Sequence, residues 1–499
     1  MRGSDTTSAF LTWFTEHGGT IDVSSLELAM IPGQGRAAIA SKDILEGHTL
    51  FEIPRGLALS LRTSSLPEKI GRSAWKKHGL HQGWAGLILC MMWEESLGES
   101  SNWSGYLNIL PSSFGTPMFW SEDELAELRG TAVVDKIGRD DAERDYHERV
   151  TPAIKCRPDL FPPDAHEKFF SIERYHIMGS RILSRSFHVE PWGESKNENE
   201  DEDEAGTNVN TSMDSAMDVD EPVERHDTGN GEPEPEEGSD DEDEEIEDPA
   251  DVTMVPMADM LNARFESENA KLFYEEKVLK MVTTKAIQAG EQIWNTYGDP
   301  PNSDLLRRYG HVDVVSLRPP LAGEGNPADV VEIRADLVVE TVSVRIKGNN
   351  IQDRVDWWLE IADDDVFVVE SDCEVPKELV SLVHLLLLPD ADWLKAQANE
   401  KLPKGKLTPD AIPVVIEVLQ KRLAEYPTTI AEDERILEGS MLSTNRRNAV
   451  IVRLGEKRVL QCTLERLQTL QQPASGNPDK KRKDIGLGKN GGGSKKSRR

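Results

Sequence analysis

Three of the chain's seven tyrosines, Tyr274, Tyr297 and Tyr309, fall in one short stretch. Two polar blocks accompany them, Asp259-Met260-Leu261-Asn262 and Asn295-Thr296-Tyr297-Gly298. A tyrosine ring attracts a centre that carries or develops positive charge, and its hydroxyl can orient an amine. The grouping therefore suits chemistry on an amine beside a cationic group, in a place from which water is kept. No Ser/His/Asp arrangement, phosphate-cradling glycine loop or metal-ligand cluster competes with it, so no metal site is expected. Taken singly, each block is weak: Asn295–Gly298 would be a strand-end turn, Asp259–Asn262 a helix cap, and Tyr274 a packed strand aromatic.

The elements that must position these residues alternate between strand and helix patterns. Residues 1–60 open on an amphipathic helix around Phe10, Leu11 and Phe14. A glycine-punctuated turn at Gly33-Gln34-Gly35-Arg36 follows, then strand-like runs at Ala37–Ala40 and Thr49–Ile53, the second stopped by Pro54. Residues 61–193 carry helical runs, among them Trp84–Glu95, Ser121–Leu128 and Glu167–Phe187, with Ser121 placed as a helix cap. Within 249–315 strand character returns, and Lys271–Tyr274 and Lys277–Thr284 around Glu275-Glu276 spell a hairpin. Residues 316–472 are mostly helical. One helix is expected to open at Thr408 with Pro409 at its first position and to present Ile412, Ile416, Leu419 and Leu423; another covers Asn445–Leu470.

Charge is concentrated rather than general. The formal net charge is −33, but 194–248 holds 25 acidic residues against Lys196 and Arg225, so that segment alone carries −23 and the rest about −10. It is too poor in apolar residues to offset its ordering entropy and is expected to be a disordered acidic loop. Residues 473–499, with Lys480–Lys483 and a Lys-Lys-Ser-Arg-Arg end among glycines, are expected to form a disordered basic tail of the kind read by nuclear import. Four scattered cysteines without a C-x-x-C pair indicate neither a zinc ribbon nor a disulfide framework. The apolar runs are too short to span a bilayer and the first residues lack a signal-peptide pattern, so a protein neither secreted nor membrane-spanning is expected.

Four blocks in order give the chain a family likeness: Gly35-Arg36-Ala37-Ala38-Ile39-Ala40 with Glu46-Gly47 and the strand to Pro54-Arg55; Ser184-Arg185-Ser186-Phe187; Asp259 to Asn262; and Gly290-Glu291 through Asn295–Gly298 to Tyr309-Gly310. Together they resemble the SET-domain lysine methyltransferases of the Rubisco large-subunit methyltransferase type, and most of all their fungal ribosomal-protein branch. The resemblance implies an α+β fold: a β-rich SET domain with a pseudoknot-type active site, interrupted by a helical insertion, and followed by a C-terminal all-α substrate-binding domain.

The resemblance also implies roles. Gln34, Gly35, Arg36, Arg185, Asn262 and Ala263 would hold S-adenosyl-L-methionine. Arg185, Asp259, Tyr274, Tyr297 and Tyr309 would line the lysine site, with Tyr297 the catalytic tyrosine. Two positions depart from the family pattern: Ala263 stands where histidine is usual, and Val189 where a second arginine follows the Ser-Arg-x-Phe block. The implied protein is a monomeric enzyme of the nucleus, or of nucleus and cytoplasm, that methylates a lysine of a ribosomal protein of the large subunit, with a nuclear non-histone or histone protein as the alternative substrate, no membrane partner and no nucleic-acid contact beyond the basic tail. The absence of a cysteine-rich segment after Tyr309 sets it apart from histone-type SET enzymes. A non-catalytic SET scaffold, weakened at Ala263, and an acidic chaperone for basic nuclear proteins are the competing readings.

Overall fold

The computed structural model describes residues 2–192, 248–345, 351–362, 365–439 and 441–471. The acidic loop, apart from its last residue, and the basic tail lie outside the described residues. Two compact units are formed, one from Met1–Glu332, Glu370–Asp372 and Glu425–Val459, the other from Ile333–Val369, Cys373–Ala424 and the residues from Leu460 onward.

The first unit is built on short antiparallel sheets. One has the order Thr20–Ile21, Thr49–Pro54, Val278–Thr283, Ala270–Tyr274, and a second the order Leu26–Ile31, Gly35–Ala40, Gln292–Ile293. Alternation sets which faces are buried: Leu279, Met281 and Thr283 point inward from one strand while Phe51 and Ile53 meet them from its neighbour, in register Phe51↔Met281 and Ile53↔Leu279. Helix Arg2–Glu16 lays Phe10, Trp13 and Phe14 into the same core. A buried side chain of this size is worth roughly 1.5–3 kcal/mol.

Between the sheet strands the chain is helical, as expected. Helix Ala85–Ser96 is apolar on every side as far as Trp93, and its residues 85–94, Glu94 included, are all buried. Ser121 closes a capping box with Glu124 ahead of helix Glu122–Ala126. The run expected at Glu167–Phe187 is divided: a short turn of helix, His166–Phe169, precedes helix Ile172–Arg185, which Ser171 caps by accepting the Arg174 N–H. That helix stops at Arg185 because Ser186–His188 pairs antiparallel with Val252–Met254, so sheet pairing overrides helix propensity there.

The second unit holds helices Ala335–Ser343, Ile351–Ile361, Lys377–Leu387, Asp390–Ala398 and Ile412–Ala424. Arg354 is buried and donates from Nη1 to the carbonyls of Leu385 (3.3 Å) and Leu386 (2.7 Å), which satisfies the end of helix Lys377–Leu387. Thr408 does cap a turn, its Oγ1 accepting the Ala411 N–H at 3.3 Å, but the regular helix begins at Ile412 instead of Pro409. Pro413 has no N–H to give the carbonyl four residues earlier, which breaks the ladder at that point.

Residues 316–332 and 425–459, read from the sequence as part of the helical domain, count with the first unit. Buried charge and apolar contacts explain why. Within helix Thr444–Gln471, Arg453 and Lys457 are each about 1% exposed. Arg453 Nε donates to Asp433 Oδ1 (2.9 Å) and its Nη1 to the Glu127 carbonyl and carboxylate (both 2.8 Å), while Lys457 Nζ pairs with the other Asp433 oxygen. Ala449 and Val452 pack with Trp120, Leu128, Val133 and Leu306. Replacing Asp433 by Ala leaves the buried Lys457 without its carboxylate and Arg453 with Glu127 alone, and should cost about 3–5 kcal/mol of stability, measured as the shift of the urea midpoint. A loss below about 1 kcal/mol would show that the carboxylate does not hold this region.

Candidate active site

A cleft of about 270 Å³ in the first unit is lined by Arg185, Phe187, Asp259, Leu261, Tyr297 and Tyr309 among others. Arg185 arrives at the last residue of helix Ile172–Arg185, where a cation also suits the helix dipole. Asp259 sits in the tight turn Ala258–Met260. Met257, just before it, is held at φ 79°, a left-handed conformation that costs a non-glycine residue energy and that tends to mark functional turns.

Asp259 is the electrostatic centre of the cleft. Tyr106 Oη donates to Oδ2 at 2.9 Å, and Arg185 Nη1 donates to the Asp259 carbonyl at 2.6 Å while standing 3.5 Å from Oδ2. Its other oxygen, Oδ1, is buried without a partner. Burial outweighs Arg185, Tyr106 and Arg36 and raises the carboxyl to about 6.

Two separated chain segments cross beside this turn. The Asn295 N–H donates to the Asn262 carbonyl at 2.9 Å, and Ala263 and Asn295 form an isolated parallel bridge. The crossing carries Tyr297 over the Asp259 turn, where its hydroxyl donates to the Leu261 carbonyl at 3.4 Å. Burial pushes that hydroxyl up to about 12, with Arg185 opposing, so it is protonated at neutral pH. The Tyr297 and Tyr309 rings stack face to face, centroids 4.2 Å apart and planes within 5°. Gly310 follows at φ 76°, and a Cβ there would strike the backbone of Gly115 at 2.8 Å, so the wall needs glycine. On Tyr297 a second cavity, of about 220 Å³, also borders, reaching Ala263, Phe265, Asp299 and Asp313.

Among the residues expected at the site, Arg185, Asp259, Tyr297 and Tyr309 line the first cleft. Ala263 lines the second, and Asn262 lies at the crossing with its Nδ2 buried and unpartnered. Arg36 approaches from the neighbouring sheet, with Nη1 on the Ile109 carbonyl (3.3 Å) and 3.9 Å from Met260 Sδ, and with Nε buried and unpartnered. Gln34 and Gly35 lie in the exposed hairpin turn ahead of it, where the Gln34 N–H bonds the Ile31 carbonyl. Tyr274 is not brought to the cleft: it pairs in register with Leu279 and packs against the sheet core with Arg55 nearby. A strand aromatic is placed by its pairing, which the spacing of tyrosines does not record. Tyr106 was missed, since a single tyrosine in a helical stretch has the pattern of an ordinary core residue.

Comparison with known proteins agrees with this geometry. The Rubisco LSMT substrate-binding family matches residues 349–460. Solved structures of the SET domain of LSMT bound to lysine and AdoHcy, and of Rubisco LSMT bound to sinefungin and monomethyllysine, superpose with TM-scores of 0.62 and 0.61. The first covers 93% of this chain and 91% of its own at 19% identity; the second covers 93% and 92% at 20%. The fold is that of the SET-domain methyltransferases of the Rubisco large-subunit type. Ribosomal lysine N-methyltransferase 4 of Saccharomyces cerevisiae is 29% identical over 90% of this chain and 88% of its own length. N-lysine methyltransferase setd6 of Danio rerio is 27% identical over 93% and 95%. The SET-type likeness and the α+β class read from the four blocks are borne out.

The raised Asp259 carboxyl of this SET unit gives a pH test. A folded value near 6 against 3.8 unfolded means that its contribution to stability is complete below about 3.8 and lost as pH rises through 6. Asp259→Asn should therefore gain on wild type in urea unfolding between pH 4 and pH 7.5, by up to about 3 kcal/mol. A difference that does not change with pH would mean the carboxyl is not held in a dry site.

Proposed function

We propose that this protein-lysine N-methyltransferase acts on a basic protein of the ribosome's large subunit, with S-adenosylmethionine as methyl donor. The observation that carries the reading is the stacked Tyr297–Tyr309 pair sharing a cleft with a buried aspartate, beside a chain crossing that also presents Asn262. The relatives named for lysine methylation match along nearly the whole chain, and the yeast relative named for ribosomal lysine methylation supports the substrate class.

The residues present fit the donor. Asn262 Nδ2, Arg36 Nε and Arg185 Nε are buried donors without partners, and Asp259 Oδ1 is a buried acceptor without one. Such groups are costly unless a polar ligand bonds them, and a ligand with a carboxylate, an amine and a ribose supplies those bonds. Ala263 removes a side chain from this set but keeps the backbone bridge to Asn295 that fixes Asn262.

When bound, the donor supplies an electrophilic methyl group on a sulfonium. The chain's own residues do the rest. The carboxylate of Asp259 and the faces of the two tyrosines draw a cationic lysine side chain into the cleft. Once the lysine ammonium has given a proton to solvent, the Tyr297 hydroxyl, protonated and donating to the Leu261 carbonyl, has lone pairs free to accept an N–H of the neutral amine, which turns the nitrogen's own lone pair away from the phenol. The two tyrosines are half-buried at the cleft, and water is displaced from around them when donor and lysine are bound, leaving nitrogen as the nucleophile at hand. The basic tail at 473–499 supports placing the enzyme in the nucleus.

Tyr297→Phe keeps the ring and removes the hydroxyl. Methyl transfer to ribosomal protein should fall by orders of magnitude while calorimetric affinity for S-adenosylmethionine stays within a few-fold, because the lost bond acts on the reacting amine. A folded Phe variant that methylates at the wild-type rate would refute the role. Asn262→Ala is expected to weaken donor binding about tenfold or more, the loss of a buried hydrogen bond.

A further inference from the structure

The segment that joins Tyr297 to Tyr309 is fixed from behind the cleft. Asn302 is fully buried, and its side chain closes the loop on both sides: Nδ2 donates to the Asp313 carbonyl (3.0 Å) and Oδ1 accepts the Asp313 N–H (2.7 Å). Asp313 in turn accepts the Phe265 N–H on Oδ2 at 2.8 Å, which ties the loop to the segment that follows Asn262. The Asn302 N–H donates to Asp329 Oδ1 at 2.9 Å. Asn326, whose carbonyl accepts the Asp329 N–H at 3.1 Å, donates from Nδ2 to the Pro300 carbonyl at 2.9 Å.

Asp329 is 4% exposed, and its second oxygen lies against Gly455 of helix Thr444–Gln471, so close that a Cβ on Gly455 would overlap it. The same helix places Ala449 and Val452 against Leu306, on the segment that ends in Tyr309. None of these residues lines the cleft that Tyr297 and Tyr309 share.

We propose that Asp329 is a positioning residue of the methyl-transfer site: through Asn302 it holds residues 298–313 so that Tyr309 stacks on Tyr297, and the close pass of Gly455 holds Asp329 in turn. The proposal rests on the lysine methyltransferase reading for its kinetic consequence, but the stacking it explains is independent of that reading. Burial raises the Asp329 carboxyl to about 7, opposed by the Asn302 and Asn326 backbone N–H groups and by Arg458 of the helix, and an uncharged amide of the same shape keeps an oxygen for the Asn302 N–H. Helix propensity alone would favour alanine at 455. The proposal expects the reverse.

The test uses full-length protein with 3-fluorotyrosine at its seven tyrosines, the Tyr297 and Tyr309 fluorine signals being assigned by Tyr→Phe variants. Asp329→Ala should shift both signals and lower kcat about tenfold or more, with peptide KM and donor Kd within about threefold. Asp329→Asn should keep both signals in place and retain kcat within about threefold, since its amide oxygen still accepts the Asn302 N–H. Gly455→Ala should repeat the Asp329→Ala pattern. Unmoved signals in folded Asp329→Ala, or an Asn variant no better than Ala, would overturn the assignment. Should Asp329→Ala fail to fold, Gly455→Ala decides by the same signals: shifted supports, unshifted overturns. If wild type methylates no substrate, the functional reading fails while the fluorine signals still judge the positioning.

Discussion

The site depends on one short contact: the crossing at which the Asn295 N–H meets the Asn262 carbonyl and Ala263 bridges Asn295 in parallel. The two threads come from opposite sides of a hairpin, so no local preference brings them together. The hairpin Ala270–Tyr274 and Val278–Thr283 lies between them in sequence and is anchored in the four-stranded sheet, which fixes the distance the chain travels before it returns. Once the threads cross, the Asp259 turn and Tyr297 have one relative position. The left-handed Met257 is the local strain that this arrangement sustains.

Burial then sets the chemistry. A carboxyl near an arginine is ordinarily lowered, yet Asp259 is raised, because its burial outweighs the pull of Arg185, which donates to the Asp259 carbonyl and stands 3.5 Å from the carboxylate. The phenol of Tyr297 is kept protonated by the same dryness. The cleft thus presents a weakly held anion, two ring faces and several buried polar atoms without partners, an arrangement that is unfavourable empty of polar ligand and favourable around a cation and its polar donor.

Support for the site comes from sequence-distant residues. The long helix near the C-terminus contributes Arg453 and Lys457 to a buried ion network and Ala449 and Val452 to an apolar cluster, and through Gly455 it touches the Asp329–Asn302 bonds behind the tyrosines. A buried network of this kind is weak evidence for stability by itself, since desolvation offsets attraction. Its clearer effect is specificity, because a satisfied buried network has one good geometry.

By itself the sequence determined the elements and the chemical type of the site. Alternation in Val278–Thr283, the apolar run of Ala85–Ser96, the cap at Ser121 and the four polar blocks are local signals, legible because period and capping act over a few residues. Only the tertiary structure decided that Tyr274 packs in the sheet while Tyr106 reaches Asp259, that the helix expected to run to Phe187 yields to a strand at Ser186, and that residues 425–459 join the first unit. These depend on strand pairing, on which buried polar group finds a partner, and on charge burial across hundreds of residues. Such terms arise between segments, and no window along the chain contains them.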